Sequence, residues 1–178
     1  MAFLEKQLEE IEEFRGNVFR VRRDKVEITG GQTAHREVVD HQGGVCILPL
    51  DSDGSVYCVR QFRYAFMSEL LELPAGRLEA GELPECCARR ELSEETGLEA
   101  ENIISLGTIY PTPGYCTEQL HIFLATGLKQ GEAHPDPGEF LSVERIPLTR
   151  LREMVRGNII KDGKTIAGVF LAGSKLSE

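Results

Sequence analysis

Tryptophan is absent from this 178-residue chain, and aromatic residues make up only 7% of it. Any ring-stacking role therefore falls to tyrosine or phenylalanine. No apolar run approaches the roughly 18 residues of a membrane-spanning helix. The stretch from Met1 to Glu13 is crowded with glutamate and does not fit a secretory signal peptide. Positive charge is scarce: 20 Lys and Arg stand against 29 Asp and Glu, a net charge of −9. That balance argues against a nucleic-acid backbone as partner. The five cysteines, Cys46, Cys58, Cys86, Cys87 and Cys116, are odd in number and show no C-x-x-C spacing. Free thiols in a reducing cytoplasm are the direct reading, and neither a cysteine metal site nor a cysteine nucleophile is expected. His35, His41, His121 and His134 have no ligand spacing and carry no assigned chemistry.

What is present suits one main domain with a small appendage, and a hydrophobic content of 41% is enough for an ordinary core. Near the start, Leu4, Leu8 and Ile11 recur at helical spacing, which reads directly as a short amphipathic helix. Val18–Ile28 and Thr33–Asp40 read as strands joined at Gly30-Gly31. Such a hairpin buries too little to stand alone and must lie on the main domain or on a second subunit. Residues 1–41 are thus set apart from a catalytic domain of 42–178. In that domain Val45–Leu50 is a strand, and Asp51-Ser52-Asp53-Gly54 is expected to turn it into a hairpin with Ser55–Phe62. Leu70–Leu73, Ile103–Tyr110, Glu118–Thr126 and Phe140–Ile146 are further strands, and Gln130–Glu139 is an exposed loop. Leu148–Arg156 and Thr165–Ala172 are helices. Strands and helices interleave without regular βαβ repeats, so an α/β chain of the α+β type is expected, a mixed sheet between helices.

The stretch from Gly76 to Leu98 carries the chemistry. Pro84 suits a first helical turn and Gly97 suits a left-handed exit. The thirteen residues Pro84–Thr96 contain no internal Gly or Pro. Residues three and four apart share a helix face, so Glu91, Glu94 and Glu95 project together, with Glu82 on the loop just before the helix. Stacked carboxylates repel unless a multivalent cation is expected, and hard oxygen ligands suit Mg²⁺ or Mn²⁺ rather than Zn²⁺. Arg90, four residues before Glu94, is placed to orient the carboxylates through charge-assisted hydrogen bonds. Gly76 reads as a point of close backbone approach. A solvated acidic helix would not need Gly76, Glu82, Arg90, Glu91, Glu94, Glu95 and Gly97 together. At about 7% usage each, their chance agreement is on the order of 10⁻⁸ per start position.

These residues, with Leu92 and Leu98, match the Nudix box at every specified position, and the chain resembles the Nudix hydrolase superfamily. The flanks resemble its ADP-ribose pyrophosphatase branch: Gln61-Phe62-Arg63-Tyr64, then Glu69–Gly76, then Pro113 fifteen residues past Leu98, and the ending Gly157–Thr165. The resemblance covers roughly residues 17–173. It implies the Nudix fold, a mixed β-sheet sandwiched between α-helices. It implies Mg²⁺-dependent hydrolysis of a nucleoside diphosphate conjugate, with Mn²⁺ able to substitute. For this branch the substrate is ADP-ribose, cut to AMP and ribose 5-phosphate. The alternatives are another nucleotide sugar such as GDP-mannose, or a binding module without turnover. The resemblance also implies that the N-terminal region is extended in its later part and exchanged between two subunits, hence a homodimer. The partners expected are a small nucleoside diphosphate conjugate and a second copy of the chain, with no nucleic acid and no membrane.

Roles follow residue by residue. Glu91 and Glu95, one helical turn apart, are expected metal ligands, with Glu94 as the next ligand or a catalytic helper. By resemblance the Ala75 carbonyl adds another ligand. Also by resemblance, an acid of the late loop takes the proton from water; Glu139 is chosen over Asp136 because it adjoins a strand. Arg63 is a candidate phosphate clamp, since a guanidinium fork matches phosphate oxygens. Glu72 and Glu118 are candidates for ribose hydroxyls or a metal, and Pro113 marks the substrate side. Phe19, Tyr64 and Tyr115 are the candidates for stacking on adenine.

Overall fold

The computed structural model of the chain describes residues 3–134, 138 and 140–176. Two compact units emerge. One comprises residues 1–43 with 110–119, and the other residues 44–109 with 120–178.

In the first unit three antiparallel strands lie in the order β1 (Lys6–Arg15), β2 (Phe19–Glu27), β3 (Thr33–His41). β1 decides between helix and extended chain in favour of the strand. Its backbone pairs with β2 from Lys6 opposite Glu27 to Arg15 opposite Arg20. Every residue of β1 is exposed, so no apolar stripe rewards a helix there. Charge complementarity does the work instead. Arg20 reaches Glu10 at 2.9 Å and Asp40 at 2.6 Å, and Arg23 reaches Glu13 at 3.1 Å. The Phe14 and Phe19 rings add a tilted contact at 6.0 Å. Residues 110–119 join this unit through Val39, whose N–H donates to the Tyr115 carbonyl at 2.7 Å and whose carbonyl accepts from Thr117 N–H at 2.9 Å.

The second unit is built on a mixed sheet in the order β7 (Ala75–Arg77), β4 (Gly44–Pro49), β9 (Leu120–Gln130), β8 (Leu98–Ile109). β4 and β9 are parallel and the other pairs antiparallel. All six residues of β4 are buried, as a strand covered on both faces requires. Its alternation sorts them. Val45 and Ile47, with Phe123 and Ala125 of β9, pack with Cys87, Ala88 and Leu92 of α1 (Pro84–Thr96). Cys46 and Leu48, with Ile122 and Leu124, belong to the core shared with Leu151 of α2 (Leu148–Arg156) and Val169 and Ala172 of α3 (Gly163–Lys175). The sheet is therefore sandwiched between helices, the layering expected from the sequence. Full burial of a leucine such as Leu92 contributes about 2 kcal/mol.

A second sheet of this unit has the order β10 (Leu141–Pro147), β5 (Ser55–Arg63), β6 (Ser68–Glu72). Here the expected β4–β5 hairpin is corrected. The turn at Asp51–Gly54 forms, with Gly54 N–H on the Asp51 carbonyl at 3.0 Å, but only a single bridge, Leu50 to Val56, links the two strands. Both edges of β4 are already taken by β7 and β9, so β5 pairs with β6 and β10 instead. The turn carries the chain from one sheet to the other.

Candidate active site

Helix α1 runs Pro84–Thr96, with Pro84 in its first turn and Gly97 leaving it at φ 70°. Gly97 N–H donates to the Ser93 carbonyl at 2.8 Å, and the Thr96 hydroxyl donates to the Leu92 carbonyl at 2.5 Å. One helix face is buried in the core. The edge of that face presents the box carboxylates.

Arg90 organises them. Its Nε and Nη2 donate to the two oxygens of Glu82, each at 3.0 Å. Its Nη1 donates to Glu91 at 2.7 Å and to Glu94 at 2.9 Å. A further Nη2 bond ends on the Arg77 carbonyl at 3.2 Å. One guanidinium thus answers three carboxylates. The Arg90 fork holds the Glu82 carboxyl down at about 2, and Glu82 in return pushes the Arg90 guanidinium up. The expected orienting role of Arg90 therefore has a geometric basis. Glu82, left on the preceding loop by sequence reasoning, proves to be Arg90's bidentate partner. Its spacing of eight residues from Arg90 gave no helical clue, because the pair forms across the loop-to-helix junction.

Gly76 explains itself by contact. A Cβ added there would overlap the Glu91 carboxyl carbon and both of its oxygens. Glu91 is pressed against the β7 backbone, where no side chain fits. Glu95, 3% exposed, accepts from Ala75 N–H at 3.1 Å. Ala75, Gly76, Glu91 and Glu95 therefore meet at the junction of β7 and α1. Among the described residues, no three His, Cys, Asp or Glu side chains already converge as a ready-made metal cage. The available donors are all oxygen, however, and Arg90 supplies the counter-charge that keeps them gathered. That donor set fits a hard divalent cation and not a soft one.

A second ionic cluster lies on the α3 side. Glu72, 1% exposed, receives the Arg63 fork at 2.9 and 2.7 Å and also the Lys164 ammonium. Burial would raise the Glu72 carboxyl, but Arg63 and Lys164 together hold it below its ordinary value. Lys164 also reaches Asp162 at 2.9 Å. Asp162 caps α3 by accepting from Thr165 N–H at 3.0 Å and from its hydroxyl at 2.6 Å, and that hydroxyl accepts from Leu73 N–H at 2.8 Å. Sequence reasoning named Arg63 and Glu72 but missed Lys164, Asp162 and Thr165. Their only signal was the likeness of the Gly157–Thr165 ending to the ADP-ribose branch, which assigned no roles.

The remaining candidates fall elsewhere. Pro113, Tyr115 and Glu118 belong to the unit of residues 1–43 and 110–119, as does Phe19. There the Glu118 carboxylate lies 3.7 Å from His41 Nδ1. Tyr64 is exposed. Glu139 and Asp136, the proposed bases, lie outside the described residues. All five cysteines are free, and burial pushes the Cys58 and Cys87 thiols up to about 12, which disfavours a thiolate nucleophile. No helix among the described residues is long and apolar enough to cross a membrane.

A mixed sheet between helices, with an arginine-gathered carboxylate cluster on the helix after a glycine strand, defines a class, and the comparisons agree with it. Residues 40–166 match the NUDIX domain family. A methanol dehydrogenase activator of Bacillus methanolicus is 35% identical over 169 residues, 94% of this chain and 91% of that protein. An ADP-ribose pyrophosphatase of Bacillus subtilis is 35% identical over 163 residues, 90% of this chain and 88% of that protein. Among solved structures, an ADP compounds hydrolase superposes with a TM-score of 0.86 at 22% identity, covering 97% of this chain and 94% of that one, a likeness of fold. The chain belongs to the Nudix family.

Proposed function

We propose that the protein hydrolyses the pyrophosphate bond of ADP-ribose, giving AMP and ribose 5-phosphate. The observation that carries this is the cluster of Glu82, Glu91 and Glu94 gathered by Arg90, beside Glu95 on Ala75. The name of the Bacillus subtilis relative supports the choice of substrate. Glu91 and Glu95, with Glu94 and the Ala75 carbonyl, would hold Mg²⁺, with Mn²⁺ able to replace it. Bound there, such a cation supplies neutralisation of phosphate oxygens and a lower pKa for water.

The chain's own residues do the rest. Arg90 keeps the carboxylates from splaying apart before substrate arrives, which is electrostatic preorganisation. Gly76 lets Glu91 lie against the backbone. Arg63 presents a guanidinium to the diphosphate. Glu139 accepts the proton of the attacking water as its oxygen bonds to phosphorus and the bridging oxygen leaves with the other phosphate. The N-terminal strand region, residues 1–41, is proposed to mediate a homodimer. The five free thiols support a reducing, cytoplasmic location.

The test is turnover of a panel of nucleotide sugars with Mg²⁺, followed by product analysis in ¹⁸O-water. AMP and ribose 5-phosphate from ADP-ribose, with one ¹⁸O in a product phosphate, is the expected result. Preference for GDP-mannose would overturn the substrate, and no cleavage of any conjugate would overturn the activity.

A further inference from the structure

Arg63 poses a problem for its role as a phosphate clamp, because it is already engaged. Its Nε and Nη2 both donate to Glu72, at 2.9 and 2.7 Å. The remaining nitrogen, Nη1, meets no partner among the described residues, and the side chain is 39% exposed. Glu72 is in a different condition. It is almost wholly buried, and a buried carboxylate must keep its counter-charges. Lys164 supplies one from the first turn of α3, donating to the same Oε2 that receives Arg63 Nη2. Asp162 in turn holds Lys164, and both Asp162 and Glu95 add to the field around Arg63. The charges alternate along the row: Asp162, Lys164, Glu72, Arg63.

We propose that Lys164 is a positioning residue for the pyrophosphate, acting through Glu72 to hold the Nε–Nη2 edge of Arg63 so that Nη1 stays turned to a phosphate oxygen. Lys164 does not touch the substrate in this arrangement. It bears part of the Glu72 charge, so that Glu72 keeps one conformation whether or not Arg63 is drawn toward an anion. Asp162 fixes the ammonium and caps α3 at once, which ties the aim of Arg63 to the placement of the helix. Thr165 extends the tie to the Leu73 backbone, two residues before Ala75. The inference rests on the proposed pyrophosphate hydrolysis.

The experiment is a double-mutant cycle on Lys164 and Arg63. The variants are K164M, R63M and K164M/R63M. Two quantities are read: kcat and KM for ADP-ribose with Mg²⁺, and Kd for ADP-ribose by calorimetry without metal. K164M should raise KM and Kd about tenfold, as weakening one hydrogen bond to a charged group does. Its kcat should stay within about twofold, since ground-state and transition-state binding are lost together. In the R63M background, K164M should add nothing. A purely structural lysine would instead penalise both backgrounds alike. If K164M alone fails to fold, E72Q/K164M removes both buried charges together and should show the same rise in KM. An unchanged KM and Kd in K164M, or an effect repeated in full on R63M, would overturn the role of Lys164. Wild-type protein that neither binds nor cleaves ADP-ribose would overturn the substrate reading first, and with it this inference.

Discussion

Two glutamate-rich stretches of similar length meet different fates. β1 carries Glu9, Glu10, Glu12 and Glu13 within ten residues, and α1 carries Glu85, Glu91, Glu94 and Glu95 within thirteen. In β1 every residue is exposed; Glu10 and Glu13 find arginines on the neighbouring strand and Glu12 finds Arg15 on its own, where water screens each pair. In α1 only Glu85 behaves that way, pairing with Arg89 one turn on. The other three are drawn inward, Glu95 to the Ala75 amide and Glu91 and Glu94 to one arginine shared with Glu82. Density of acidic residues therefore does not mark a site. Carboxylates outnumbering their counter-charge at the edge of a buried face do, because that arrangement costs energy unless a cation or substrate repays it.

The sharpest way to break this contrast is Glu95→Gln. Gln keeps an acceptor for Ala75 N–H but loses the charge, so kcat for ADP-ribose should fall about 10³-fold while the melting temperature barely moves. Near-normal turnover would remove Glu95 from the metal set. Gly76→Ala comes next. The new methyl must displace Glu91, and a misplacement of that size costs about 10²-fold in kcat, which steady-state kinetics would read.

Arg90→Met sharpens the electrostatic half of the comparison. Glu82 is held from its ordinary value of 4.5 to about 2 by Arg90. A carboxyl with a depressed folded pKa stabilises the fold above its unfolded pKa and loses that contribution as pH falls through the folded one. The stability gap between wild type and R90M, from urea midpoints, should be constant above about pH 5.5 and shrink between about 4.5 and 2. A gap independent of pH would mean the fork holds no charge difference. The smallest effect belongs to β1. Glu13→Gln should change stability by less than about 0.5 kcal/mol, because its pair with Arg23 at 3.1 Å is half exposed on both sides. A loss comparable to that of R90M would erase the distinction between the two stretches.

Much of the site was legible because its logic is local. Pro84, Gly97 and the uninterrupted run between them mark α1, and helical spacing alone puts Glu91, Glu94 and Glu95 on one side. The need for Gly76 was legible as a type of residue, although what crowds it, the Glu91 carboxylate, was not. The errors and gaps share a cause. Leu4, Leu8 and Ile11 have helical spacing, yet backbone pairing with β2 makes β1 a strand. The Asp51–Gly54 turn has hairpin chemistry, yet β4 spends its edges on β7 and β9. Lys164, over ninety residues from Glu72, has no pattern at all that points to its partner.

From its residues alone the chain determined the box helix, its carboxylate face and its glycine boundaries. These depend on interactions within about one helical turn, which a linear pattern records. Tertiary structure alone decided which sheet each strand joins, that Glu82 is gripped by Arg90, and that Glu72 is shared by Arg63 and Lys164. Those choices turn on which buried edges and charges remain unpaired once the rest has packed, a competition among distant segments that no local spacing encodes.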